Sequence, residues 1–461
     1  MGESRERARA ISDRLAEVLG EPLAAPLRRL SSGASRETFA LATASQGELV
    51  VQIERQATLL ADTPPQAALL RAAARAGVPV PRVVAHGSQD SVLGPSWTVV
   101  EAIAGTTDPK EILAGEQVAE AGALIESVAA ALAAIHRMPA DPSLAPLVED
   151  PLALLREMHD RLGEPHPTFE LAFRALEEGR PAASLRTLVH GDFRMGNLMV
   201  GPRGVTGVLD WELAHLGDPV EDLGWLCVPA WRFTRPDRPA AGLGTREELL
   251  AAYERHAGIE VDPAALRWWE LAGTLRWGVI CVMQAFVHLS GATRSIEHAV
   301  IGRRACEVEW DLLQLLDPHP AAVMEPAVGA ARLNASPPPR LHDRPTALEL
   351  LDAARGALGD DVLPGLDGRA AFQLRVALRA LGMVGRELAG AEEHAAVHAA
   401  ALAGLGFADE AELATAIRDG RLVGREAELP AALRATVRAK LEVANPAYLR
   451  EPENQPPTEE T

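Results

Sequence analysis

Lysine is almost missing from this chain: of 45 basic residues only Lys110 and Lys440 are lysine, and the rest are arginine. Chemistry that needs a lysine before residue 110 has none to draw on. Cysteine is equally scarce. Cys227, Cys281 and Cys306 are odd in number and far apart, which excludes a disulfide framework or a zinc cluster and fits a reducing compartment. Positive charge falls short of negative, and the net −19 argues against nucleic acid or an anionic membrane surface as the main partner. Met1 to Arg14 is charged and lacks the apolar centre of a signal peptide. The longest apolar stretch, Leu271 to Leu289, is interrupted by Arg276 and Gln284, so it reads as a buried helix and not a membrane span. A cytoplasmic protein is expected, with neither nucleic acid nor membrane as partner. Oligomeric state is left open.

What is present supports a folded chain of about two or three domains. Its 461 residues are 48% hydrophobic, enough for real cores. A helix is expected near 4–19, then short strands at Leu27–Ser32, Thr38–Thr43 and Glu48–Glu54. Gln66–Ala76 reads as a helix closed by Gly77 and the breakers Pro79 and Pro81. Val83–Ala85 and Trp97–Ile103 complete a small sheet. From Glu116 the pattern turns helical: 118–136, near 147–161, 167–178, 221–227, 246–256, 263–290 and 294–316. Leu198–Val200 and Val205–Leu209, joined by Gly201-Pro202-Arg203-Gly204, read as a hairpin. Prolines crowd 318–345, a linker pattern. The expected division is an N-terminal lobe over 1–104, a helical lobe over 105–317, the linker, a helical domain over 346–450 and a disordered tail over 451–461.

Chemistry concentrates in His190-Gly191-Asp192-Phe193-Arg194-Met195-Gly196-Asn197, followed thirteen residues after Asn197 by Asp210-Trp211-Glu212. Kinase catalytic loops read His-x-Asp-x-x-x-x-Asn, with the Asp facing the acceptor hydroxyl and the Asn holding magnesium. Asp192 and Asn197 keep that interval. Asn197 precedes one strand of the hairpin and Asp210 follows the other, so pairing the strands makes the two residues neighbours. Asp192 is the candidate base or orienter of the acceptor, and Asn197 and Asp210 are candidate metal ligands. His190 would support the loop by hydrogen bonds, and Gly191 would allow an unusual backbone angle. Arg194 is placed to contact transferred phosphate.

Residues 190–226 resemble the aminoglycoside phosphotransferase and choline kinase superfamily. The resemblance extends over roughly 25–316 through the Ser31-to-Glu37 turn, the Leu69-to-Gly87 segment, the hinge Val99-to-Gly105 and the helix ending at Met138. Within that superfamily the chain is most similar to phosphotransferase domains fused to acyl-CoA dehydrogenases, through HGDFRMGN, GDPVEDLGWLC and IGRRACEVEWDLL. The resemblance implies an α+β, bilobal protein-kinase-like fold: a small β-rich N-lobe and a large helical C-lobe, here followed by an all-α C-terminal domain. It implies ATP, or GTP, with Mg2+. Asp218 and Asp222 would then be structural, Asp222 anchoring the catalytic loop. Ser32, Gly33, Ala34 and Ser35 would cover the phosphates with backbone N–H groups and hydroxyls. Glu101 and Ile103 would meet the nucleotide base.

One departure stands out. Family members usually carry a basic residue on the third strand paired with a glutamate on the next helix. Gln52 and Gln66 occupy these positions here. Either Arg36, Arg55 or Arg194 and the metal hold the phosphates, or nucleotide binding is weak. Seven of the eight tryptophans lie between Trp211 and Trp310. Glu212, Trp231, Trp269, Arg276 and Trp277 are candidate walls and anchors of an acceptor pocket, with core packing the plainer reading of any single tryptophan. The expected activity is transfer of the ATP γ-phosphate to the hydroxyl of a small molecule, first a hydroxyacyl-CoA or hydroxy acid. An aminoglycoside or amino-alcohol acceptor, or a catalytically weak nucleotide-binding interaction protein, are the alternatives. His394 and His398, four apart beside Glu393, have metal-ligand spacing but no evident third ligand and read as a solvated helix face.

Overall fold

Strict alternation of side chains organises the first strands. In β2 (Arg36–Thr43) residues 37, 39, 41 and 43 are buried, and in β3 (Gly47–Glu54) residues 49, 51 and 53 are. A strand points successive side chains to opposite faces, so each strand has one apolar side and one free for other use. The computed structural model describes residues 2–32, 36–54, 66–115, 120–182, 185–233, 235–318, 345–422, 424–425 and 428–449. It has a five-stranded antiparallel sheet in the order β1-β2-β3-β5-β4, with β1 at Arg28–Ser32, β4 at Val83–Asp90 and β5 at Gly94–Glu101. The outer face packs Phe39, Leu41, Leu49, Val51, Ile53 and Val99 against Ile11 and Leu15 of helix α1 (Gly2–Leu19). Each aliphatic side chain so buried contributes about 1.5–3 kcal/mol. Ile11 and Leu15 are four apart, one turn of a helix, which is why both reach the sheet. Helix α2 (Gln66–Arg75) lies between β3 and β4 in the chain.

The described chain forms two compact units, Met1–Glu149 with Pro181–Glu270 and Asp150–Arg180 with Leu271–Thr461. The first holds the sheet, the short helix α3 (Pro109–Ala114), the Ala-rich helix α4 (Ala121–His136) and two small two-stranded sheets. Strands β6 (Thr187–Val189) and β9 (His215–Gly217) pair, and β7 (Leu198–Gly201) and β8 (Gly204–Val208) form a hairpin. Helices α7 (Val220–Cys227) and α8 (Arg246–Ala257) follow. Helix α9 (Pro263–Leu289) is long and apolar enough to cross a membrane by length and composition. It carries Glu270, fully buried and paired with Arg232 and Arg246 at 2.5 and 2.6 Å.

The second unit is helical. Helix α5 (Pro151–Leu162) starts after Asp150, whose carboxylate accepts from the Leu152 and Ala153 amides, so it begins later than the expected 147. It is followed by α6 (Pro167–Glu178). The single helix expected over 294–316 is two, α10 (Ile296–Gly302) and α11 (Ala305–Leu316). Arg303 and Arg304 donate to Val300 and Ile301, three residues back, and these tight bonds end the first helix. Helices α12 (Ala347–Gly356), α13 (Gly368–Gly404), α14 (Glu410–Arg418) and α15 (Leu429–Ala444) complete the unit. Cys306 and Leu313 of α11 share one core with Leu413 and Ile417 of α14 and Leu433, Val437 and Leu441 of α15. His394 pairs with Glu442 and His398 with Thr436, so both histidines face α15.

Candidate active site

The loop after β6 is built around Asp222. This carboxylate is fully buried and accepts the His190 amide at 2.8 Å and the Gly191 amide at 2.9 Å. Burial works against its charge, but the His136 hydrogen bond at 3.2 Å and the backbone amide of His190 hold it below the usual carboxylate range. His136 is itself held by the Tyr253 hydroxyl at 2.8 Å, so α4, α7 and α8 all fix the loop. Gly191 has φ +78, and a Cβ there would lie 2.3 Å from the Leu213 carbonyl oxygen, which leaves glycine as the residue that fits. Burial lowers the pKa of His190, favouring the neutral ring. Its Nε2 donates to the Leu209 carbonyl at 3.0 Å and its Nδ1 accepts the Asp192 amide at 3.2 Å. Both ring nitrogens are thus occupied inside the loop.

Asp192 is held on three sides. Oδ1 accepts from Trp225 Nε1 at 2.8 Å and Arg194 Nε at 3.1 Å, and Oδ2 accepts from Asn197 Nδ2 at 2.6 Å. A carboxylate offers about four lone-pair sites, so roughly one is left for an incoming hydroxyl. The Arg194 guanidinium also lies 4.8 Å from the centre of the Trp231 ring. Asn197 Nδ2 donates to the Asp192 carbonyl as well, at 3.0 Å, so the amide oxygen is the group it can present to a cation.

The hairpin brings Asp210 to Asn197: the Leu209 amide donates to the Asn197 carbonyl at 2.8 Å. Asp210 has φ +60, a conformation rare outside glycine and enriched at functional sites. Desolvation by the surrounding walls, then the Glu212 carboxylate, push Asp210 up to about 6, against the partial relief of Arg36. Arg36 lies 3.7 Å from Asp210, 3.8 Å from Glu212 and 3.5 Å from Glu54. The amide of Asn197 and the carboxylate of Asp210 are hard oxygen donors in a surplus of negative charge, which suits magnesium. Among the described residues no three His, Cys, Asp or Glu side chains are grouped to hold a metal. A divalent ion here would be completed by phosphate oxygens and water, as magnesium commonly is.

Above these residues is a cavity of ≈ 550 Å³ under the inner face of the sheet, with Thr38, Gln52, Gln66, Glu101, Ile103 and Asp210 in its walls. The Glu101 amide donates to Arg82 and the Ala102 amide to Glu48, while the Ile103 amide meets no acceptor among the described residues. Glu101 also pairs with Arg82 through its side chain.

The remaining candidates divide. Ser32 ends β1 opposite Glu37, and Gly33, Ala34, Ser35 and Arg55 lie outside the described residues. Asp218 lies just before α7 and accepts the Val220 amide at 2.9 Å. Trp231 packs on Trp225 with ring centres 5.5 Å apart. Trp269 is buried, and its Cβ and backbone pack on Gly224 of α7. Arg276 and Trp277 belong to the second unit, where Arg304 lies 5.6 Å from the centre of the Trp277 ring. Two contacts give residues a sharper place than the sequence did. Trp225 hydrogen-bonds Asp192. Arg36, one of three candidate phosphate cations, reaches Asp210. The one signal for Trp225 was its place on the helix that also carries Asp222.

Comparison with known proteins agrees with this geometry. The phosphotransferase enzyme family matches residues 26–268, more than half of the chain. A domain of unknown function, DUF6285, matches residues 364–448. Mouse acyl-CoA dehydrogenase family member 10 is 28% identical over 281 residues, covering 54% of this chain and 26% of that protein. The chain therefore spans about a quarter of that relative. Aminoglycoside 3'-phosphotransferase of Streptomyces fradiae is 26% identical over 209 residues, 43% of this chain and 73% of the relative. The crystal structure of an aminoglycoside-phosphotransferase-like protein from Ralstonia eutropha, 22% identical, superposes with a TM-score of 0.51 over 67% of this chain and 98% of that one, which establishes a shared fold. This α+β chain, with its antiparallel sheet, helical remainder and kinase-type loop, belongs to the phosphotransferase enzyme family.

Proposed function

We propose that the chain transfers the γ-phosphoryl group of ATP to the hydroxyl of a small hydroxyacyl metabolite, carried as a CoA ester or as the free acid. The convergence of Asp192, Asn197 and Asp210 beneath the cavity carries the kinase part of this reading. Support for the acyl acceptor is the likeness to acyl-CoA dehydrogenase family member 10 over a quarter of its length. The lobes 1–104 and 105–317 and the helical domain 346–450 are the proposed functional division.

Each residue then has a task. The Ile103 amide and the Glu101 carbonyl bind the edge of the base. Asn197 and Asp210 would hold magnesium, which would supply positive charge to offset that of the phosphates. Asp192 orients the acceptor hydroxyl and takes its proton as the oxygen–phosphorus bond forms and the bond to the leaving diphosphate breaks. Arg194, beside Asp192 and Trp231, offsets charge on the transferring group. Asp222, Trp225 and His190 keep the loop in place, which matters because phosphoryl transfer is mostly positioning.

A polycationic amino-sugar is the second reading, favoured by the likeness to the Streptomyces fradiae enzyme over 73% of its length. A weak nucleotide-binding protein is the third, favoured by Gln52 and Gln66 in the cavity wall. Turnover of Mg-ATP with a panel of hydroxyacyl-CoAs, hydroxy acids, amino alcohols and aminoglycosides separates them. Turnover confined to aminoglycosides removes the acyl reading, and no turnover despite Mg-ATP binding leaves the third.

A further inference from the structure

Rows across the inner face of the sheet carry this inference. Residues two apart on one strand share a face, and directly paired residues lie side by side. One row runs Thr38–Gln52–Thr98, and the next toward the hinge runs Arg28–Ala40–Val50–Val100. The next in the other direction is Arg36–Glu54. Gln52 stands where the family places its basic residue. Arg36 is one diagonal step away, a separation of about 7–8 Å that long side chains cross. Arg28, the arginine in the cavity wall, sits in the row beside the hinge, at the base end, whereas Arg36 stands beside Asp210 at the cavity's other end. Arg194 is tied to Asp192 and Trp231. Of the described arginines named so far, Arg36 alone is at the Asp210 end of the cleft without a short side-chain hydrogen bond: its one such bond, to Glu54, is 3.5 Å.

Its contacts have an unusual character. The side chain is only 12% exposed, yet its three carboxylate neighbours stand 3.5 to 3.8 Å away. Nη1 is buried and has no hydrogen-bond acceptor. A planar fork of donors with an unmet N–H suits the oxygens of a phosphate, which it grips in pairs.

We propose that Arg36 is the phosphate-gripping cation of this enzyme, replacing the basic residue that Gln52 has displaced. The proposal rests on the kinase reading above. Without nucleotide, Arg36 spans Glu54, Asp210 and Glu212 and competes with a divalent ion for Asp210. With nucleotide, its guanidinium turns to phosphate oxygens and leaves Asp210 to the metal. Removing it should therefore move two binding equilibria in opposite directions.

The test measures binding to the full chain by calorimetry for Mg-ADP and adenosine, and by electron paramagnetic resonance for Mn2+ alone. For Arg36→Gln, Mg-ADP affinity should fall by about tenfold or more, the size of a lost charge-assisted hydrogen bond. Adenosine affinity should stay within about twofold, and Mn2+ alone should bind more tightly once its competitor is gone. Arg36→Lys, which keeps the charge but not the fork, should lose less. Adding Gln52→Lys to Arg36→Gln should recover Mg-ADP binding. If Arg36→Gln binds Mg-ADP like the parent, or loses adenosine and Mg-ADP equally, the proposal is wrong while the kinase reading stands. If the parent protein itself binds neither ligand, the kinase reading fails and this one with it.

Discussion

Glu170 and Asp210 are both acidic groups crowded by protein, and their neighbours decide what each is for. Glu170 on α6 accepts from Arg156 at 2.7 Å and Arg418 at 2.6 Å, with His159 at 3.4 Å. Burial works to raise it, but these hydrogen bonds together hold it at about 2. Glu309 on α11 is similar: burial is outweighed by Lys440 and His166, which also bring it to about 2. Asp210 faces two more carboxylates, Glu212 and Asp192, against the looser charges of Arg36 and Arg194. A carboxylate matched by the protein's own cations holds helices together. One left with surplus negative charge is chemistry arranged for a cation from outside.

The largest effect should come from removing the charge that faces the acceptor. Asp192→Asn should lower turnover by about 10²–10⁴ while Mg-ADP affinity stays near parental, because general-base chemistry is lost and the metal ligands remain. Unchanged turnover would show that Asp192 has been given the wrong role. Next comes the other side of the comparison. Glu170→Ala should leave Arg156, Arg418 and His159 without their shared acceptor and destabilise the second unit by about 3 kcal/mol. That is the low end for a broken buried pair, since the Arg418 side chain is 44% exposed and can turn to water. Denaturant unfolding measures it. Turnover per folded molecule should be unchanged, and a matching loss of turnover would mean that the division between holding and reacting groups is not this clean.

The catalytic loop was legible because its chemistry is local. Asp192 and Asn197 are five residues apart, and the Gly201–Gly204 turn announces the hairpin that returns Asp210. What escaped was set by distant partners. Arg418 meets Glu170 across 248 residues, and no pattern within either helix signals the pairing. The contact between Arg36 and Asp210 depends on a strand from the small sheet lying over a loop of the larger lobe. The Trp225 bond to Asp192 depends on how α7 is rotated, which the Asp218 bond to the Val220 amide and the packing of Gly224 on Trp269 fix. The break at Arg303-Arg304 hides in a continuous apolar period, since a turn of tight helix keeps nearly the same spacing.

Asp210→Asn sharpens the comparison further. The same loss of a carboxylate that damages the second unit should here leave stability unchanged or slightly improved, because repulsion with Glu212 and Asp192 is relieved. Mg-ADP affinity should nevertheless fall on the order of a hundredfold, the upper range for losing even a supporting group of a metal site. Calorimetry and thermal melting on one preparation give both numbers. A variant as destabilised as Glu170→Ala would place Asp210 among the structural carboxylates.

The smallest effect is the pH dependence of the difference between Asp210→Asn and the parent. Glu170 and Glu309, both held at about 2, contribute stability that is present above the usual carboxylate range and lost as pH falls toward 2. His166 is raised to about 9: burial lowers it, but Glu164 and Glu309 outweigh that. Its contribution is present below about 6.5 and lost as pH rises through 9. These groups are the same in both proteins and cancel in the difference. Asp210 alone remains, and its sign is opposite to that of the other carboxylates. A raised acid binds more protons folded than unfolded between about 4 and 6, so its contribution is present below 4 and lost as pH rises through 6. The parent should therefore lose about 1 kcal/mol relative to Asp210→Asn over that window, a figure reduced from the full shift because the side chain is 42% exposed. Saturating Mg-ADP should shift the parent's curve the other way, since binding to ionised Asp210 stabilises the folded protein more as pH rises. A flat difference between pH 4 and 6 would mean that Arg36 already matches Asp210 as completely as Arg156 and Arg418 match Glu170, and the contrast between the two regions would disappear.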